Sequence, residues 1–164
     1  MSNHPFARLL GSLAIVGLFL APTARGELAA WDQARVTALG KDLATATDSL
    51  LDTFVKQQPP GLGSMQSAAY YRLKQWVRLL PLEAHHLAES LGQGEGREQT
   101  LAIYENLMQL VRSAREDAAK AFVAHDVGDR AAAVRGVLNR LGPYYDPDFQ
   151  TLAPLPNIEP GATR

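Results

Sequence analysis

From Val36 onward, stripe positions recur at steps of three and four: Val36, Leu39, Leu43, Ala46, Leu50 and Thr53, with Phe54 alongside. That period puts one apolar stripe on a helix, and the Pro59-Pro60 pair in QQPPGLG ends it, so a first helix is expected over 28–57. A second opens at Ser64, a residue suited to cap a helix start. It steps through Gln66, Tyr70, Leu73, Val77, Leu80, Ala84, Leu87 and Leu91 until Gly92 stops it. The stripe crosses Pro81 without a change of phase, which predicts one kinked helix rather than two. A third, the most regular, runs through Thr100, Tyr104, Leu107, Val111, Ala114, Ala118, Ala121 and His125, with Ile103 and Leu110 widening its apolar face.

The segment HDVGDR then supplies a glycine and two candidate caps, Asp126 and Asp129. Ala131, Val134, Leu138 and Leu141 make a shorter fourth helix ending at Gly142. The remainder, PYYDPDFQTLAPLPNIEPGATR, holds five of the ten prolines and no period, so an extended tail is expected over 143–164, with Tyr144, Tyr145 and Phe149 placed to pack it back. Strand alternation is convincing nowhere. Long amphipathic helices joined by short loops must run antiparallel to their neighbours. The expected fold is therefore all-α: an up-down-up-down bundle of three long helices and a shorter fourth, over 27–142. Helices 2 and 3 carry alanine at many stripe positions and the fourth helix is short, which predicts an incompletely covered face, either a groove or a surface for self-association.

The N-terminus has a different pattern. Arg8 precedes an uncharged, largely apolar run from Leu9 to Ala21, about 13 residues, which is short for a membrane span and fits the core of a secretory signal. Pro22 follows, and Ala24-Arg25-Gly26 puts small residues at the two positions a signal peptidase reads, so residues 1–26 are expected to be removed before Glu27. The expected location is the bacterial periplasm or the medium, with no stable membrane anchor after cleavage. The sequence has no cysteine, which removes disulfides, thiolate metal sites and cysteine nucleophiles. Losing Arg8 and Arg25 takes the cations from 16 to 14 against 17 acidic residues, a net charge of −3. Such a surface has no electrostatic footprint for nucleic acid.

Candidate chemistry is sparse. Glu83-Ala84-His85-His86 contains the Glu-x-x-His spacing of di-iron bundles, yet no other glutamate has a histidine three residues on. At about 100° per residue, His86 faces water and His85 the stripe boundary, so no metal site is expected there. His125 sits on the third stripe instead. In an antiparallel hairpin the end of helix 3 lies level with the start of helix 2, and helix 1 delivers Phe54 to the same end. His125, Met65, Gln66, Tyr70 and Phe54 then form a mixed apolar and polar cluster suited to a small ligand. A His and Met pair also ligates haem iron, although the Cys-x-x-Cys-His of covalent haem is absent. The serines lie in no Gly-x-Ser-x-Gly setting, GQGEG follows a helix rather than a strand, and no catalytic constellation emerges. The expected function is non-enzymatic: binding another protein, or a copy of itself, through an aromatic surface of Trp31, Trp76 and Tyr71 with the aromatic tail. The alternative is a small-ligand, haem or metal carrier at the His125 end, although no bound cofactor follows from the sequence.

Overall fold

The computed structural model describes residues 27–59, 65–121 and 123–155, and the side chains of Met65 and Gln66 lie outside the described portion. The expected secretory segment, 1–26, also lies outside it. Among the described residues four helices make up the fold: α1 (Gln33–Lys56), α2 (Met65–Gly92), α3 (Arg97–Ala118) and α4 (His125–Leu141), followed by a 3-10 turn, Gly142–Tyr144. There is no strand among the described residues, so the all-α bundle expected from the periodicity is the fold observed.

Local chemistry sets the helix ends. α1 starts later than expected, because the Asp32 carboxylate accepts from the Arg35 backbone N–H at 3.1 Å and caps the helix there. The residues before it are held in an extended path by tertiary bonds: Ala29 N–H donates to the Pro143 carbonyl at 2.9 Å, and Arg97 donates to the Ala29 carbonyl at 2.8 Å. α2 runs through Pro81 as one helix. At its end the Leu91 carbonyl accepts from Gln33 Nε2 at 2.9 Å and Thr37 Oγ1 at 3.0 Å, so two side chains of α1 bond one of the carbonyls that lack an i+4 partner at the helix end. Gly94 then turns the chain at φ 88, a conformation that favours glycine.

The boundary between the third and fourth helices is the main correction. The stripe predicts helix 3 as far as His125, but α3 ends at Ala118, and Ala124 is extended at φ −64, ψ 153. His125 is the first residue of α4, ahead of both aspartates expected to cap it. Ala121 and His125 fall in phase with the stripe, and periodicity alone does not register a break that preserves phase. The tail also starts later than expected, since Pro143 and Tyr144 belong to the 3-10 turn. Tyr144 and Tyr145 are buried, and Phe149 packs against Gly142 so closely that any Cβ there would collide with its ring.

α1 packs against α2 and α4, and α2 also packs against α3. The core between them is built from Val36, Leu43, Phe54, Leu73, Leu87, Leu107 and Leu138, each under 5% exposed. At Gly40 the missing side chain brings α1 close to α2: a Cβ would sit 3.3 Å from the Ala88 Cα. α3 and α4 make no comparable approach. The helices are therefore ordered α3, α2, α1, α4 around the core, with an open seam between the first and last.

Candidate binding cleft

The open seam leads into a cavity of about 320 Å³. Its floor is Leu50 and Phe54 from α1 with Leu73, Val77 and Leu80 from α2. One wall is Val111, Ala114 and Ala118 of α3, and the other is Val127, Gly128, Ala131, Ala132, Val134 and Leu138 of α4. The cause lies in side-chain size. Helix axes pack at 8–10 Å when side chains of ordinary length interdigitate, whereas the walls here include Ala114, Ala118, Gly128, Ala131 and Ala132. Neither wall reaches the other, while both helices are held by larger contacts to α2 and α1.

The tail crosses this gap. Arg115 of α3 donates to the Ala153 carbonyl at 2.7 Å. On α4, Asn139 Oδ1 accepts from the Leu152 N–H at 2.8 Å, and its Nδ2 donates to the Leu152 carbonyl at 3.5 Å. Leu152, Pro154 and Leu155 thereby become part of the cavity lining. Polar groups among the described lining residues are few: Arg115, Arg135, His125 and Asp129. The last two pair with each other, His125 Nδ1 to Asp129 Oδ2 at 3.2 Å, and both are exposed.

Beneath the α3 wall, Asp117 locks α3 to α2. Only 6% exposed, it accepts from Arg72 Nε at 3.0 Å, from the same guanidinium's terminal nitrogen at 2.8 Å, and from Trp76 Nε1 at 3.0 Å. The Arg72 hydrogen bonds hold its carboxyl below the usual carboxylate range, with the Trp76 bond helping, against the opposing effect of burial. The sequence reading missed this residue. Its signal was register: Asp117 stands three after Ala114 and four before Ala121, an acid on the stripe itself.

The residues singled out from sequence divide between places. Phe54 and Tyr70 stack at 5.3 Å and 20°. Phe54 and His125 both line the cavity, so the structure brings these two together across α1 and α4, whereas Tyr70 is buried beside it with its hydroxyl donating to the Gln57 carbonyl at 3.4 Å. Burial pushes the Tyr70 hydroxyl pKa upward. His85 is exposed and pairs with Asp48 at 2.9 Å, and the described residues hold no cluster of three or more metal-ligating acids and histidines.

The expected aromatic surface is not one surface. Trp31 packs edge-on against Tyr145 at 5.6 Å and Tyr144 at 6.3 Å, under the Arg97 guanidinium at 5.4 Å, all by the start of α3. Trp76 is bonded to Asp117 at the other end of α3. Tyr71 is 47% exposed and lies against Tyr70. The aromatic tail joins Trp31 alone, because the 3-10 turn after α4 returns it to the N-terminal segment. Tyr145 stacks on Tyr104 at 4.2 Å and shares a 2.8 Å hydrogen bond with Thr100. Burial raises the pKa of both tyrosines.

The chain matches no known protein-family model, no curated protein and no solved structure. No described helix is long and apolar enough to cross a membrane.

Proposed function

We propose that this chain is an exported, non-catalytic bundle that binds an apolar guest between α3 and α4. The observation that supports this is the cavity of about 320 Å³ with alanine-rich walls, which lies within the size range of small-ligand sites and has their composition: mostly apolar lining with a few polar groups at the edge. A gap of this size in a bundle whose other seams are closed loses dispersion contacts that larger side chains would recover, and a guest recovers them on binding. Export rests on the Arg8 and Leu9–Ala21 segment, and mass spectrometry of the protein from a periplasmic fraction tests it: a mature N-terminus at Glu27 is expected. Guest binding is tested with N-phenyl-1-naphthylamine, a neutral apolar fluorophore. Saturable enhancement by the wild-type chain, abolished in Ala131→Leu, is expected, and no enhancement overturns the reading.

A second reading, a protein interface or self-association, is favoured by the outer face of α2. Tyr71, Leu79 and Leu82 are exposed there, Leu82 by 65%, and at 100° per residue they share an arc of about 80°. Light scattering across a concentration series tests the homo-oligomer form, and a monomer at high concentration removes it.

A further inference from the structure

We propose that the guest is a single-chain amphiphile with an anionic headgroup, its apolar chain lying along the cleft and its headgroup held by Arg115 and Arg135. This rests on the cleft being a binding site and goes further by assigning the ligand class. The first argument is shape. On α4 the lining extends from His125 to Leu138, which at 1.5 Å per residue is about 20 Å along the axis. A narrow channel of that length suits an extended chain.

The second argument is charge. Arg115 comes from one wall and Arg135 from the other, both half-buried, and neither pairs with a carboxylate among the described residues. The one carboxylate among the described lining residues, Asp129, is paired with His125. Guanidiniums without a carboxylate partner at the edge of an apolar cleft are sites where an anion gains, because a planar fork of N–H donors matches a carboxylate or phosphate.

The third argument is the tail. The acceptor that Arg115 does have is the Ala153 carbonyl, on the segment that places Leu152 and Leu155 in the lining. That segment imitates the proposed ligand: apolar side chains in the cleft and an oxygen on Arg115. A headgroup oxygen takes over this bond, and the charged acceptor makes the stronger hydrogen bond.

The test displaces the naphthylamine probe from the full chain with dodecanoate, dodecanol and dodecylamine below their micelle concentrations. Dodecanoate is expected to bind about tenfold more tightly than dodecanol, and dodecylamine weakest. Arg135→Gln, which removes a side chain with no described hydrogen bond, is expected to lower dodecanoate affinity several-fold and leave dodecanol and the melting temperature unchanged. Arg115→Gln with Arg135→Gln removes the preference for the anion. Equal affinities for all three chains, or a dodecanoate preference that survives both substitutions, overturn the headgroup assignment while leaving the cleft reading standing. Failure of the probe itself to bind overturns both.

Discussion

The seam between α1 and α2 and the seam between α3 and α4 are made from the same kind of amphipathic helix, yet one is closed and the other is open. In the closed seam, glycine at position 40 lets α1 approach the Ala88 backbone, and Leu87, Leu91 and Leu43 fill the remaining space. In the open seam small residues stand on both walls, Ala114 and Ala118 on α3 and Gly128, Ala131 and Ala132 on α4. A small side chain draws helices together only where the surrounding contacts let them move. α3 is fixed to α2 by the Arg72–Asp117–Trp76 lock, and α4 is fixed to α1, so alanines between them leave volume.

This contrast makes directional predictions. The largest effect belongs to the closed core: Leu87→Ala, at a fully buried position, is expected to cost about 2–5 kcal/mol of unfolding free energy in denaturant titrations. Gly40→Ala comes next, at about 1–3 kcal/mol, because its Cβ would press on Leu91 Cδ1 at 3.1 Å and on the Ala88 Cα at 3.3 Å, and the backbone of α2 does not rotate away as a side chain can; a melting temperature equal to wild type would show that the seam gives at this point. Asp117→Asn is expected to cost about 1–3 kcal/mol by weakening its bonds to Arg72 and Trp76.

Asp117 also sets a pH dependence. Its carboxyl titrates lower folded than unfolded, so its stabilisation is complete above the ordinary value of 3.8 and is lost as pH falls through the folded value. The wild type should therefore lose stability more steeply than Asp117→Asn below about pH 4, measured by thermal melts across pH. The smallest stability effect is predicted in the open seam. Ala131→Leu fills existing space and is expected to change stability by less than about 1 kcal/mol, while removing probe binding. A large destabilisation there would mean that the seam is already packed.

Much of this molecule was legible in its sequence. The steps of three and four placed four helices and the C-terminal ends of three of them, because a helix exposes its period directly. The alanine-rich stripe positions also signalled an incompletely covered face. The break after Ala118 was hidden, since Ala121 and His125 stay in phase and the chain changes direction without a proline. His125 was therefore assigned to the wrong helix, although it does reach the cavity beside Phe54. Trp31 and Trp76 looked like parts of one surface because nothing in their spacing reveals that they sit at opposite ends of α3.

Sequence alone determined the fold class and the polarity of each helix face, because these depend on local period and on the burial of apolar side chains. Tertiary structure decided which seam closes. That outcome depends on distances between elements fixed by residues far apart in the chain: Asp117 on Arg72, Gly40 against Ala88, and Ala153 on Arg115.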